Sequence, residues 1–402
     1  MIKKERAIAV GVALIIITAL LTVTVLSVFE IPIGHKVYVS EMEYQQMKSF
    51  EKEFGMLPSL KVFLEDNYYQ QLDDEAMRLS LYKGLFEGAG DPYTRYLSKE
   101  EYQLLQQGSA GSFGGVGISM SVGEDGYVTV VSLTEEGPAY KAGILPGDVI
   151  IEVDGQDSRD LSAEEVSALV KGQVGTAVSL VILREGEMLR YTMERETIEE
   201  TSAYGQVTED HMGYIRLASF DMNTAQQFRE ALTQMEEAGV EGLVIDLRAN
   251  IGGIVDQSVE IADMLMDEGV VVYQEDGHGE RVYYRTEDGR TPLDYVILVN
   301  GATASASEVL VAGVQDNEEG VILGTQTYGK GIMQKTWGLK NGDGIEITFA
   351  QYYSPSGKVI HGVGITPDVV VELEESDVEG NYIVNDRQLE EAVKLLKDRA
   401  RE

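Results

Sequence analysis

The sequence predicts an α/β multidomain protein, and three patterns along it carry that prediction. From about residue 197 onward, short apolar runs alternate with amphipathic helical ones, the order expected of a layered α/β core. Between residues 111 and 196, strand-like segments of period two are separated by glycine turns, which marks a small β-rich domain. Residues 41–107 have helical spacing instead, broken at Gly88-Ala89-Gly90-Asp91-Pro92. The 402 residues suffice for two or three domains with cores of their own.

Residues 7–29 are charge-free and mostly apolar, long enough to cross a bilayer at about 1.5 Å of rise per residue. The segment Met1-Ile2-Lys3-Lys4-Glu5-Arg6 precedes them, so the positive-inside rule makes residues 1–6 a cytoplasmic tail and puts the bulk of the chain outside. A cleaved signal peptide is the alternative. The apolar stretch is longer than a usual h-region and no clear small-x-small site follows it, so an uncleaved single-pass anchor in the cell membrane is expected.

Residues 30–110 are expected to form a stalk, with Lys36 to Ser40 extended, and then a helical region. Its apolar positions are Leu60, Phe63 and Leu64, followed by Met77, Leu79, Leu81, Leu85 and Phe86. Residues 111–196 open with strands at Gly117-Ile118-Ser119-Met120-Ser121-Val122 and Gly126-Tyr127-Val128-Thr129-Val130-Val131. A single helix is expected from Ser162 to Val170, where Ser162 and Glu165 have capping-box spacing. In residues 197–402, strands are expected at 213–217 and 242–247, and helices at 223–238, 258–266 and 389–396. The near-continuous apolar run at 242–247 fits a strand buried on both faces.

The chemistry concentrates near residue 305. An apolar strand-like run, Tyr295-Val296-Ile297-Leu298-Val299, feeds Thr303-Ala304-Ser305-Ala306-Ser307-Glu308, and a helix-like run leaves it. A hydroxyl at a strand-to-helix turn has the free N–H groups of the helix start beside it, which suits a nucleophile. A second apolar run, 320–324, delivers Lys330 between Gly329 and Gly331, where neighbouring backbone can approach closely. Serine nucleophiles need a base, and lysine can replace histidine in that role. Together these features point to peptide-bond hydrolysis. On pattern alone Ser305 is equally an N-cap, and Ser307 is a second candidate hydroxyl.

These segments resemble the C-terminal processing peptidases, also called tail-specific proteases. Four more agree in order: Gly90-Asp91-Pro92-Tyr93, the 111–196 block, Asp246-Leu247-Arg248-Ala249-Asn250-Ile251-Gly252-Gly253, and Gly362-Val363-Gly364-Ile365-Thr366-Pro367-Asp368. The resemblance implies a crotonase/Clp-like β-β-α protease core at 197–402, with an inserted PDZ domain at 111–196. It selects Ser305 as nucleophile and Lys330 as base, with Gln334 orienting the lysine amine. An extended chain would put Lys330 and Gln334 on one face. Tyr328 stands where the family commonly has Phe, and is expected to keep an apolar wall.

Oxyanion donors are expected at Ala306 and at Gly252 or Gly253. The resemblance also implies that Gly114, Gly115, Val116 and Gly117 hold a ligand carboxylate by backbone N–H groups; a plain β-turn is the alternative. Lys171 stands where the family commonly has an arginine that links ligand occupancy to the protease site, though a solvated lysine at a helix C-terminus fits equally well. The expected partners are protein or peptide substrates held by their C-terminal tails. The resemblance implies that the N-terminal helices help assemble a homodimer, an ordinary helical cap is an equally good physical reading, and the sequence leaves both open.

A net charge of −36 argues against nucleic-acid partners, because binding phosphates needs a basic footprint. Zero cysteines exclude disulfides and thiol catalysis. His35, His211, His278 and His361 are scattered without the spacing of a metal pair, and no phosphate loop or dinucleotide fingerprint is present, so no cofactor or metal is expected. Asp246 and Arg248 are expected to form an internal ion pair. Two other functions stay open at this point: a non-catalytic PDZ scaffold on a protease-like core, and a crotonase-type acyl-CoA enzyme.

Overall fold

The computed structural model describes residues 4–28, 39–109, 111–123, 126–287, 289–379 and 382–401. Residues 36–38 of the expected stalk, His35 and Phe29 lie outside the described residues.

The chain divides into two units, Met1–Leu81 and Tyr82–Glu402. In the first, helix Lys4–Val28 contains an apolar window, Ile8–Val25, long enough to cross a membrane. Helices Glu41–Phe54 and Leu57–Asn67 follow, and helix Asp74–Glu87 begins in this unit. Ser40 is extended, as expected of the end of the stalk, and also caps helix Glu41–Phe54 through a reciprocal capping box with Glu43. None of these three helices buries a residue, so Met47, Phe50, Leu60 and Phe63 stay exposed.

In the second unit the expected helical run is interrupted by strand Arg95–Leu97 before helix Lys99–Ser109. That strand pairs antiparallel with Gly344–Tyr353, so a partner some 250 residues away overrides local propensity. The same sheet holds Gly269–Asp276, Arg281–Thr286 and Ile332–Gly338, none of which was anticipated from the sequence. Cross-strand pairing, rather than any clear alternation, defines them.

The central sheet runs Ala203–Val207, Gly213–Leu217, Leu243–Asp246, Tyr295–Val299, Val321–Gly324, Val369–Val370, and is parallel after the first pair. Alternate residues of its strands serve two cores. Leu243, Ile245, Ile297 and Val299 face helices Thr224–Glu237, Val255–Leu265 and Ala306–Asp316. Val244, Val296 and Leu298 pack instead with Ala392 and Leu396 of helix Arg387–Arg399. Burial on both faces explains the continuous apolar runs. The helix expected from Ser258 begins three residues earlier, at Val255.

The block between these parts has its own core, including Val130, Ile150, Val166, Val178 and Ile182. Its antiparallel sheet comprises Ile118–Val122, Val128–Leu133, Val149–Val153, Ala177–Arg184 and Glu187–Glu194. Besides helix Ala163–Val170, whose Ser162–Glu165 capping box forms, there is a second helix that the sequence reading omitted, Pro138–Ala142. Proline in its first turn and Gly143 in the left-handed region (φ 86°) at its end make this single turn possible. The block connects to the rest through an antiparallel ribbon of Ser112–Gly115 and Glu196–Glu199.

Candidate active site

Ser305 follows the fully buried strand Tyr295–Val299 and starts helix Ala306–Asp316. Its backbone stands at φ 58° and ψ −119°, which is neither helical nor extended. An ordinary N-cap sits in the extended region. A non-glycine residue here is strained by about 1–3 kcal/mol, and such strain persists where the surroundings over-determine it. Half of the expected capping box forms: Glu308 accepts from Ser305 N–H at 3.0 Å, but Glu308 N–H donates to the Ser305 carbonyl at 2.8 Å, so the Ser305 hydroxyl is not engaged as a cap. Of residues 303–308, Ser305 alone is not buried. Ser307 is fully buried and its hydroxyl donates to the Asn250 carbonyl at 3.0 Å, which removes it as a reactive group.

Two groups hold the turn, and sequence reasoning gave neither a role in the site. Asn250, fully buried, accepts from Ala304 N–H through its carbonyl (3.0 Å) and from Gly252 N–H through Oδ1 (2.9 Å), while its side-chain amide donates to Leu217 O (2.9 Å). Glu308, also fully buried, accepts from Ser305 N–H (3.0 Å) and Lys330 N–H (2.7 Å) at Oε2, and from Gly329 N–H (2.7 Å) and the Thr327 hydroxyl (2.6 Å) at Oε1. The signal for Glu308 was available: capping-box spacing at the head of an all-apolar helix forces that carboxylate inward.

The glycines flanking Lys330 are there for close approach. A Cβ on Gly331 would lie 2.4 Å from His361 N, and one on Gly329, at φ 88°, would lie 2.9 Å from Gly364 N. Lys330 is half-buried. Burial pushes its amine below the ordinary lysine range; Glu346 opposes this, Arg95 adds to it, and Asp91 opposes it. The amine lies 4.6 Å from the Tyr93 ring centroid. Ser305, Lys330 and Gln334 line one cleft of about 640 Å³ with Gly252, Gly253 and Ile332. No hydrogen bond joins the Lys330 amine to the Ser305 hydroxyl.

Two sequence expectations are corrected here and a third is narrowed. Gln334 reaches the cleft, but a bulge between Met333 and Gln334 breaks the simple alternation, and its side-chain amide donates to the Thr348 hydroxyl (3.1 Å) rather than contacting the amine. Gly252 N–H is occupied by Asn250, so of the two glycines only Gly253, exposed at φ 143°, has an N–H without an acceptor among the described residues. Gly252 serves by its lack of a side chain: a Cβ there would lie 2.7 Å from Ser305 Cβ and 2.8 Å from Ala306 N. Tyr328 is 61% exposed and forms no apolar wall. The expected Asp246–Arg248 pair is present at 2.7 Å, extended to Asp386 at the same distance. Burial opposes ionisation of Asp246, but the hydrogen bonds and charge of Arg248 together with the Tyr214 hydroxyl outweigh it, and its pKa stays below the usual carboxylate range.

Gly115, Val116 and Gly117 are buried and Gly114 half-buried. The Val116 and Gly117 carbonyls accept from Ala139 and Thr134 N–H at 2.9 Å, so both turn inward. Lys171 caps helix Ala163–Val170, and its amine lies 3.9 Å from the Phe113 ring centroid and 3.3 Å from Glu200. Among the described residues, no hydrogen bond or ion pair joins it to a residue lining the Ser305 cleft. Arg195, buried beside it, donates to Leu169 and Val170 carbonyls at 3.1 and 2.8 Å and closes the helix end.

Residues 211–371 match peptidase family S41, and residues 129–184 match the PDZ domain. The chain is 35% identical over 343 residues to a chloroplastic C-terminal processing peptidase of Tetradesmus obliquus, covering 79% of this chain and 74% of that protein. It is 31% identical over 326 residues to the carboxy-terminal processing protease CtpA of Bacillus subtilis, covering 80% and 70%. A solved Bacteroides fragilis structure described as an S41 protease shares the fold, with a TM-score of 0.50 at 14% identity over 83% of this chain and 92% of that one. Identity at this level across most of each protein rules out convergence on a shared site, and the chain belongs to the carboxyl-terminal processing peptidases, PDZ-containing serine peptidases of family S41.

Proposed function

We propose that Ser305 is the nucleophile and Lys330 the general base of this peptidase. The carrying observation is Ser305 itself, strained at φ 58° and half-exposed in a cleft that it shares with a half-buried lysine. The neutral amine takes the Ser305 proton as Oγ attacks the scissile carbonyl. Ala306 N–H, at the helix start, and Gly253 N–H hold the oxyanion. The lysine then returns the proton to the leaving amine. Water, deprotonated by the same amine, hydrolyses the acyl-enzyme and releases Ser305. Gln334 acts through Thr348, ordering the wall beside the lysine.

The remaining parts complete the reading. Residues 1–6 are a cytoplasmic tail and 7–29 an anchor, which place residues 30–402 outside the cytoplasm; helix Lys4–Val28, with its apolar window, supports this. Residues 30–110 are a stalk and helical region, 111–196 the PDZ domain and 197–402 the protease core. The exposed apolar residues of the N-terminal helices support a homodimer. The PDZ domain takes the C-terminal tail of a protein substrate, with its carboxylate at Gly114–Gly117. A fluorophosphonate probe tests the core of this proposal: mass spectrometry should find the adduct on Ser305, and adduct formation should fall sharply in Lys330→Ala. Labelling elsewhere would overturn the assignment.

A further inference from the structure

The motif Gly90-Asp91-Pro92-Tyr93 has no part in the dyad chemistry, yet the fold carries it to the dyad. Asp91 Oδ1 accepts from Tyr93 N–H at 3.0 Å, and Oδ2 from the Thr94 hydroxyl at 2.7 Å. Thr94 Oγ1 in turn accepts from Thr348 N–H at 3.0 Å, and the Thr348 hydroxyl accepts from Gln334 at 3.1 Å. Arg95 pairs with Glu346 at 2.7 Å on the neighbouring strand. Pro92 fixes its own φ and restricts the turn further. A segment more than 200 residues upstream is thereby held against the strand beside Lys330, and the side chain it presents is the Tyr93 ring.

We propose that Tyr93 is a positioning residue for the Lys330 amine, holding it over the ring face and setting the pH at which it gives up its proton. The proposal rests on the reading of Lys330 as the base. At 4.6 Å from the ring centroid, the amine is well within the range of about 6 Å for a cation–π contact. It makes no hydrogen bond or ion pair among the described residues, so the ring is its nearest specific partner. An aromatic face attracts the ammonium and not the neutral amine, and therefore works against the burial that discharges the lysine. The other groups around it are Glu346 and Asp91, which favour the ammonium, Arg95, which opposes it, and the Tyr328 hydroxyl, which faces that of Tyr93. His361 lies close enough to Asp91 to act on it. The ring holds the amine in place at rest, yet free of any fixed bond that substrate binding would have to break.

The test is the pH profile of kcat/KM for the full chain acting on a tailed protein substrate, with Tyr93 replaced by phenylalanine or by pentafluorophenylalanine. The two replacements have nearly the same shape, but fluorination removes the negative ring face. Tyr93→Phe should keep the rising limb, and the fluorinated ring should move it to lower pH by about half a unit or more, because the ammonium loses its stabilisation. Tyr93→Leu should lower kcat about tenfold with KM unchanged, in a preparation whose melting curve matches that of the unaltered chain, so that a smaller folded fraction is not the cause. A limb that is the same for both rings, or that moves to higher pH on fluorination, overturns the proposal. Persistence of the limb in Lys330→Ala would instead overturn the base assignment, so the two failures are distinguishable.

Discussion

Glu308 holds the backbone N–H of Lys330, 22 residues further along the chain, at 2.7 Å, with the same carboxylate oxygen that accepts from Ser305 N–H. One buried carboxylate thus fixes the separation of the two reactive segments. Replacing an acceptor that satisfies several buried donors leaves each of them short, at about 1–3 kcal/mol apiece. Glu308→Gln can keep some of these bonds, and should cost about 3 kcal/mol of stability. It should also lower kcat by at least tenfold at a temperature where the variant is still folded. Calorimetry and steady-state kinetics on the same preparation check both; unchanged kcat would confine Glu308 to stability.

Ser305→Ala and Lys330→Ala should each abolish proteolysis of a disordered substrate, and the double variant should be no worse than either, since the pair acts as a unit. Ser307→Ala should retain turnover while losing about 1 kcal/mol, the worth of its bond to Asn250. Initial rates and melting curves on the four variants decide the assignment. Wild-type turnover in Ser305→Ala would reverse it.

Burial lowers the Lys330 pKa, so with Lys330 as the proposed base kcat/KM should rise at a pH below the reference of about 10.4. Replacing His35, His211, His278 and His361 singly should leave that limb in place. Its disappearance in any one of the four would transfer the base role to that histidine.

Asp316 ties helix Ala306–Asp316 to the loop after strand Gly344–Tyr353, accepting from Ser356 N–H at 2.9 Å and Lys358 Nζ at 2.8 Å. Burial raises its pKa, but the bonds from Lys358, Ser354 and Ser356 outweigh this and hold it at about 2. The folded value lies below the unfolded reference of about 3.9. Its stabilisation is therefore complete above pH 4 and lost as the pH falls toward 2, amounting to about 2–3 kcal/mol. In Asp316→Asn this part of the acid-unfolding slope should vanish; an unchanged slope in urea titrations from pH 2 to 5 would refute it.

Lys171 bridges Phe113 and Glu200, on the two sides of the ribbon that carries the PDZ block. If that bridge relays tail occupancy, Lys171→Ala and Glu200→Gln should each slow turnover of a tailed substrate several-fold while leaving tail affinity unchanged. Equal turnover at saturating substrate returns Lys171 to the role of a surface cation.

Elements defined by their own periodicity were legible in the sequence: strand Tyr295–Val299, helix Thr224–Glu237 and the capped helix Ala163–Val170 lie within a residue or two of where they were expected. Strands Gly269–Asp276, Arg281–Thr286 and Gly344–Tyr353 were not, because their faces are partly exposed and pairing partners, rather than an apolar stripe, define them. At the site, residue types and order pointed to Ser305 and Lys330 and left Ser307 open, and only the resemblance supplied Gln334. The supports at Asn250 and Glu308 and the ring of Tyr93 stayed hidden, since each acts through a segment distant in sequence. Gly252 and Gly253 were seen as a pair, and only the Asn250 side chain tells them apart.

The ribbon that pairs Gly115 with Glu196 has a consequence for engineering. Both chain ends of the PDZ block leave side by side in antiparallel register, so the block can be treated as a cassette. A two-residue Asn-Gly turn grafted between positions 115 and 196 matches the twist of such a pair and would turn the ribbon into a hairpin. The excision opens no long loop and cuts no strand of the central sheet, leaving the Ser305 core as a separately foldable chain.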